Sequence, residues 1–429
     1  MDILFFSENF PPETNAAASR VFERACYWVD KGHRVTIITQ APNFPYGKIF
    51  KGYRNQFRSI EKINNIKVVR VKTFMAANKA VTLRTLDFLS FMFSGILAGI
   101  FEKKSDIVIA TSPQFFAAVA GWLVAKFKKT PFIFEVGDLW PASIVAVGVM
   151  KPGIFFRILE RLELYLYRSA SCVVVLTPAF KTNLIKRGIE KEKIVVSING
   201  VDLKRYKPSP RDEKLVKSLW LTRNFVIGYV GTLGMAHGLE NVLHAAPLVR
   251  SQPSIRFLFA GPGAVREELM KEADDKGLGN VLFLPPQPKE NISSVWSVCD
   301  IALVHLKNNH VFTEVIPSKI FEAMAMGLPI LLVAPTGAAT SIIEEEDIGL
   351  VVPPENPSAL ARAAIQLLTN RTLYKKFAKN SRSAAYKHSR EHQADQMIAA
   401  ISAIVDNKDI KVNDFVNSLV PSEKPNSEK

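Results

Sequence analysis

Short apolar runs alternate with helically spaced stretches along this chain, and the series is gone through twice. In the first half the runs are ILFFS (3–7), RVTIITQ (34–40), IKVVRVK (66–72), DIVIAT (106–111), PFIFEV (131–136) and CVVVLT (172–177). In the second half they are FVIGYVG (225–231), IRFLFAG (255–261), NVLFLP (280–285), IALVHL (301–306) and PILLVA (329–334). Most are apolar at nearly every position rather than at every second one. Such strands are covered on both faces, as in a parallel sheet flanked by helices. Helical periodicity fills the gaps, for instance over 16–31, where Gly32 ends the pattern. The expected class is α/β, with two doubly wound Rossmann-like sheets in succession.

Turn residues crowd at 199–210 (NGVDLKRYKPSP) before the second series starts. This places one domain at 1–200 and a second at 201–385. A last helical region, 386–411, is expected to pack on the second domain or to cross back to the first. The remainder, 412–429, reads as a disordered tail. One segment departs from the pattern. Leu83–Phe101 (LRTLDFLSFMFSGILAGIF) has only Arg84 and Asp87 as charges and is followed by Lys103 and Lys104. A spanning helix needs about 20 apolar residues. Three readings stay open: a helix buried in the first domain, a helix lying in a membrane interface with cations at its end, or a short span.

Composition narrows this further. A chain of 429 residues with 48% hydrophobic side chains is long enough for two cores. The net charge of +15 admits nucleic acid, an anionic membrane or a phosphorylated ligand as partner. Nucleic acid is disfavoured, since no zinc spacing or RNA-binding aromatic motif is present and the cations are scattered. Cys26, Cys172 and Cys299 lie far apart in apolar runs and read as buried thiols rather than a disulfide or metal framework. The N-terminus, MDILFFSENFPPE, reads as a first strand and lacks the features of a secretion signal, so a cytoplasmic start is expected.

The most informative stretch is TEVIPSKIFEAMAMGLP (313–329), in which Glu314 and Glu322 stand eight positions apart. Pro317 and Ser318 suit a helix start, Lys319–Met326 a helix of two turns, and Gly327 a left-handed exit. The first N–H groups of such a helix lack internal partners and favour an anion. Ser318, Lys319 and Ile320 are therefore a candidate phosphate site, with Lys319 adding a full charge. Glu322, inside the helix, would be repelled by phosphate but suits the hydroxyls of a ribose. Glu314, on the preceding loop, could reach a second hydroxylated ring. The bland alternative is a surface helix with solvated glutamates.

These residues resemble the E-x7-E element of glycosyltransferase family 4, retaining enzymes of the two-domain GT-B fold. In that family the second glutamate binds the nucleotide ribose and the first contacts the donor sugar, roles that fall here on Glu322 and Glu314. The resemblance extends over roughly residues 1–400. FPPETNAAASR after the first strand is similar to the family's acceptor-side glycine loop, with Asn15 and Ala16 in place of the two glycines. EVGDLWPASI (135–144) stands where the family often has a His-Asp pair. Here the pair is Gly137-Asp138, which leaves Asp138 as a candidate for a sugar or acceptor hydroxyl, or else as a helix cap. Trp140 and Pro141 read as packing, and His33, in KGHRVTIIT, as core.

In YVGTLGMAHGLE (229–240) the family commonly has an arginine and a lysine that grip the phosphates. Thr232 and His237 occupy those positions, so the backbone of Gly231–Gly234, Lys319 and His237 carry more of that task. Gly261 and Gly263 of AGPGAVREEL would let a base or phosphate approach. Gln287, in FLPPQPKENI, belongs to a loop that contacts uracil in related enzymes.

The resemblance implies a metal-independent, anomer-retaining transferase that needs no cofactor. Its UDP-sugar donor would bind the second domain and its acceptor the first. The likeness is greatest to bacterial O-antigen and capsule transferases of N-acetyl-L-fucosamine, implying UDP-L-FucNAc as donor and a polyprenyl-diphosphate-linked saccharide as acceptor. The expected location is peripheral, on the inner face of the cytoplasmic membrane. Two alternatives remain: a UDP-sugar epimerase of the same fold, and a non-catalytic membrane-associated binding protein.

Overall fold

The computed structural model describes residues 1–44, 47–75, 81–112, 114–146, 148, 150–151 and 153–406. The chain divides into two compact units, one formed by Met1–Ile198 with Glu391–Lys429, the other by Asn199–Arg390.

The first unit opens with β1 (Asp2–Phe6), α1 (Ala16–Asp30) and β2 (Arg34–Gln40), then a hairpin of β3 (Arg58–Ile63) and β4 (Ile66–Val71). α2 (Val81–Phe101), β5 (Ile107–Thr111), α3 (Phe115–Lys128), β6 (Phe132–Val136) and α4 (Ala142–Ala146) follow. α5 (Ile154–Ser169), β7 (Cys172–Val175), α6 (Pro178–Lys186) and β8 (Ile194–Val196) complete the run. The sheet order is β3-β4-β2-β1-β5-β6-β7-β8. All pairs are parallel except β3 with β4. The winding reverses between β1 and β5, so their carboxyl ends flank the crevice in which this topology binds ligands.

The second unit holds α7 (Glu213–Ser218), β9 (Phe225–Val230), α8 (Glu240–Ala245), β10 (Ile255–Ala260) and α9 (Arg266–Asp275). Next come β11 (Val281–Leu284), α10 (Ile292–Ser297), β12 (Ile301–His305), α11 (Lys319–Met326) and β13 (Ile330–Val333). α12 (Ala338–Glu345), β14 (Gly349–Val352), α13 (Pro357–Thr369) and α14 (Arg371–Lys387) finish it. Its sheet is wholly parallel, in the order β11-β10-β9-β12-β13-β14, and reverses between β9 and β12.

The last described helix, α15 (Arg390–Val405), belongs to the first unit from Glu391 onward. The Trp28 indole donates to the Ala394 carbonyl at 3.0 Å, and Met397, Ala400 and Ile401 are buried with Phe5 and Val21. Of the two readings of the last helical region, crossing back is the one realised, although residues 386–390 stay with the second unit. There Val201 pairs with Ser389, and a Cβ on Gly200 would lie 2.7 Å from the Ser389 carbonyl oxygen. The expected tail, 412–429, lies outside the described residues.

The long apolar runs formed strands within a residue or two of their expected bounds. β3, β8 and β14 were not anticipated, being polar at alternate positions or only three or four residues long. His33 is not core: it is half-buried at the foot of β2, 3.3 Å from the N-terminal amine. Cys172 and Cys299 are buried as expected, whereas Cys26 is only partly so. α2 fits neither extreme reading. Asp87, Phe91 and Ala98 are buried while Leu86, Phe93 and Phe101 face out.

Under the first sheet's carboxyl edge lies a fully buried ion cluster. Arg24 grips Glu135 with two bonds of 2.6 and 2.9 Å, and Arg20 Nε stands 3.3 Å away. The Arg24 guanidinium also lies by the Phe5 and Trp28 rings, at 5.4 and 5.1 Å. Burial opposes the Glu135 carboxylate, yet the two arginines outweigh it and hold it down at about 2. Its folded value is below the unfolded one, so its stabilisation is present above pH ~4.5 and lost as pH falls toward about 2. Removing one partner strands buried charge. Glu135→Ala should therefore destabilise this unit by on the order of 3–5 kcal/mol. Thermal melts of wild type and variant at neutral pH and at pH 3 check both statements. A variant that melts with the wild type at neutral pH, or a wild type indifferent to acid, contradicts them.

Candidate functional site

In the second unit Gly231, His237, Gly261 and Lys319 gather at the reversal between β9 and β12. The turn after β9 is built by glycine. Gly231 has φ +135° and donates to the Ala260 carbonyl at 2.8 Å, and Leu233 donates to Pro262 at 2.8 Å. A Cβ on Gly261 would lie 2.1 Å from the Gly231 oxygen, and one on Gly263 2.0 Å from the Leu233 oxygen. The role expected for these two glycines was to admit a base or phosphate. The structure gives them another: they let the loops after β9 and β10 interlock. The buried Tyr229 hydroxyl donates to the Thr232 carbonyl at 2.8 Å and pins the same turn from beneath.

α11 runs over Lys319–Met326 as anticipated, and Gly327 closes it with φ +71°. Ser318 does not cap it: its backbone is helical and its side chain makes no capping bond. The Ile320 N–H is tied back to the Pro317 carbonyl at 3.1 Å, so it is not an open donor. What stands at this helix start is Lys319. It is 9% exposed, its Nζ lies 3.5 Å from the centre of the Tyr229 ring, and a Cβ on Gly231 would be 3.2 Å away from it. Among the described residues this Nζ is a buried nitrogen without a hydrogen-bond partner. Burial pulls its pKa down to about 7, against the opposing pull of Glu322. An ammonium at the positive end of a helix, set against a π face and without a hydrogen-bond partner, is an electrostatic arrangement that favours an anion.

His237 was expected to share the cationic task and does not. Its Nδ1–H donates to the His305 carbonyl at 3.2 Å, and its ring meets Tyr229 edge-on at 5.8 Å. Burial, and then Lys319, hold its pKa down to about 3, so it is a neutral imidazole with Nε2 as an acceptor. His305 is fixed in turn by Asn241, whose amide lies 3.0 Å from Nε2. The side chain of Thr232 is exposed.

Glu322 is half-buried in the first turn of α11, and the Trp296 indole donates to its Oε2 at 3.0 Å. Glu314 ends a short 3-10 turn, His310–Glu314, capped by Asn309. Gly337 lets the next loop seat against that turn, since a Cβ there would be 2.1 Å from the Thr313 oxygen. Gln287 folds its amide back onto the Pro285 carbonyl at 2.9 Å.

The remaining candidates lie in the first unit. Asn15 caps α1, its side chain accepting from the Ala18 N–H at 2.8 Å, and Ala16 is the first residue of that helix. The loop before them is held by buried Glu13, which accepts from the N–H groups of Phe10, Asn43 and Phe44. Asp138 follows β6, and burial raises its carboxyl pKa against Ser143 and the Leu139 N–H. Gly137 has no room for a side chain: a Cβ would be 2.5 Å from the Ser112 oxygen and 2.8 Å from Arg20. Trp140 stacks on Phe115 at 4.6 Å, which is the packing role anticipated. Glu8, after β1, was not singled out by pattern. It is 3% exposed, and burial raises its pKa to about 8 despite Arg84. Tyr229, Trp296 and His305 were likewise missed, because Tyr229 and His305 sit in apolar runs that read as core and Trp296 reads as a large core side chain.

Comparison with known proteins agrees with this layout. Residues 210–384 match the family model described as glycosyl transferases group 1, and residues 15–200 the glycosyl transferase 4-like domain. WbjE of Pseudomonas aeruginosa, named as a probable glycosyltransferase, is 30% identical over 279 residues, covering 64% of this chain and 69% of its own length. WcaI of Escherichia coli K12 is named for a glycosyl transferase role in colanic acid biosynthesis. It is 24% identical over 394 residues, 89% of this chain and 96% of its own. Among solved structures, Alr3699/HepE of Anabaena in complex with UDP-glucose superposes with a TM-score of 0.72. It is 21% identical, with 94% of this chain and 100% of that chain covered. The two-sheet architecture is the GT-B fold.

Replacing Lys319 by methionine should make the empty protein more stable, by on the order of 1–3 kcal/mol, because an unpaired buried charge is removed. The same change should abolish retention of inorganic pyrophosphate. Since the folded pKa lies below the unfolded 10.5, the wild type should also gain stability as pH rises from about 7 toward 10.5. Melting curves over that range check both signs. A Lys319→Met variant that melts lower than wild type contradicts the reading of Lys319 as unpaired.

Proposed function

The chain belongs to the group 1 glycosyltransferases, and from that premise we propose that it transfers a sugar from a UDP-sugar, with retention at the anomeric carbon, to a lipid-linked saccharide. The product would serve a bacterial surface polysaccharide such as an O-antigen or capsule, in keeping with the name of WcaI. UDP-L-FucNAc is the donor that the sequence resemblance favours.

One observation carries the donor side: the unpartnered Lys319 ammonium, held between Tyr229 and Gly231 at the start of α11. A nucleoside diphosphate supplies the missing negative charge there. As the bond to the sugar breaks, that charge grows on the leaving phosphate, where a preorganised, dehydrated cation acts most strongly. Glu322, oriented by Trp296, takes the ribose hydroxyls, and Glu314 takes hydroxyls of the transferred sugar. His237, being neutral, offers an acceptor rather than a charge. Among the described residues at this site no nucleophile stands out as poised for attack. The acceptor oxygen therefore enters on the face the diphosphate leaves, and its proton passes to a phosphate oxygen. Asp138 orients the acceptor. With Lys319 as counter-ion, no metal is required. The enzyme works at the inner face of the cytoplasmic membrane, where such acceptors are displayed.

The test uses purified full-length protein, labelled UDP-sugars including UDP-L-FucNAc, and membrane extract holding lipid-linked acceptors. Label should enter the lipid fraction, with EDTA making no difference. Glu314→Gln should lower kcat by roughly a hundredfold or more with UDP affinity nearly unchanged. Conversion of the UDP-sugar in the absence of acceptor would point to an epimerase instead. A Glu314→Gln variant with full turnover would remove Glu314 from the reaction.

A further inference from the structure

Helices α2, α3 and α5 form one layer on the first unit's sheet. α3 packs against both neighbours, and its Trp122 meets Tyr165 of α5 edge to face at 5.4 Å. Small residues draw α2 down onto this layer: a Cβ on Gly99 would lie 2.8 Å from both the Phe6 ring and Val124. The opposite side of α2 is a stripe of apolar side chains in the open. Leu86, Phe93, Leu97 and Phe101 are 52, 66, 39 and 74% exposed, at spacings of seven, four and four. On α5, Ile154 and Ile158 are 80 and 56% exposed and alternate with Arg157 and Arg161, which also face out.

The charges on these helices are sorted by side. Asp87 is buried and paired with Arg84 at 3.0 Å, and Glu160 and Glu163 are paired with Arg187, which approaches from outside the layer. No other acid occurs in α2, α3 or α5. Glu160 keeps its side chain 39% exposed beside Arg187, and the other outward charges are cations: Lys126 of α3, then Arg157, Arg161 and Arg168 of α5. A solvent-facing helix layer ordinarily mixes both signs and hides its phenylalanines.

We infer that this layer is a docking surface for a bilayer rich in anionic lipid, with the outer faces of α2 and α5 lying in the interface. Leu83–Phe101 is long and apolar enough to cross a membrane, with mean hydropathy 1.4. Its inner side is nevertheless seated on Phe6 and α3, so the helix lies along a membrane rather than through it. A predominance of cations over two helices, interleaved with exposed aliphatic and aromatic groups, matches headgroups and acyl boundary without needing a partner of fixed shape. The end of α2 is also joined to the acceptor-side loop, Arg84 standing 3.5 Å from Glu8. If the proposed function holds, a lipid-linked acceptor is met beside the strand ends that would bind it.

Vesicle flotation of the full-length protein tests this, with phosphatidylglycerol–phosphatidylcholine vesicles against phosphatidylcholine alone, and with UDP binding titrated on the same samples. Wild type should float only with anionic vesicles, and added salt should weaken it. Arg157→Glu/Arg161→Glu and Phe93→Glu/Phe101→Glu should each lower binding about tenfold or more, with melting temperature and UDP affinity unchanged. Four results overturn it: wild type that does not float, equal binding to neutral vesicles, double variants that float like wild type, or a wild-type dimer that the variants dissociate. Vesicle binding with no UDP binding would sink the donor reading while supporting this surface.

Discussion

An ammonium group buried without a hydrogen-bond partner is the constraint around which the second unit is arranged. Lys319 has given up most of its water, and it is compensated by the face of Tyr229 and by the charge of Glu322. The neighbouring features keep that state intact. Gly231, Gly261 and Gly263 bring two loops together over it, and the Tyr229 hydroxyl holds the turn. His237 is kept neutral by burial and by the neighbouring Lys319 charge, while its bond to the His305 carbonyl fixes the ring. A second cation beside Lys319 would raise the cost of the empty site, so a neutral imidazole is the compatible neighbour.

The first unit treats buried charge the opposite way. Glu135 is met at once by Arg24 and Arg20, and Glu13 by three backbone N–H groups, so these carboxylates are spent on holding the scaffold. Gly137 is compelled by the Ser112 carbonyl and the Arg20 guanidinium. A histidine at that position, as the family often has, would displace the ion cluster. The departure from the family pattern thus has a local cause in packing. Asp138 stays beside it, its carboxyl pKa raised by burial.

Much of this was legible in the chain. Continuous apolar runs gave the order of the main strands, because a strand covered on both faces leaves no polar alternation. The extent of α11 and its Gly327 exit followed from the start and stop residues around it. What escaped had physical reasons. Ser318 looks like a cap, yet the chain reaches α11 already helical. Gly261 and Gly263 look like ligand-approach glycines, but the backbone they admit belongs to the adjacent loop. Tyr229, Trp296 and His305 could not be told from core, since their contacts depend on strands and helices far apart in sequence. α2 defeated the pattern for another reason: its two faces are both apolar, and only packing shows which one is left outside.

The pH dependence of UDP affinity tests the central claim most directly. Lys319 begins to lose its proton at about pH 7 in the empty site, while bound diphosphate would hold it protonated. Titration calorimetry between pH 7 and 9 should therefore show wild-type affinity falling, by up to roughly a hundredfold over the two units. Lys319→Arg, which stays charged, should be nearly flat across the same range. Wild-type affinity that holds constant or strengthens from pH 7 to 9 would show that this ammonium is not what holds the diphosphate.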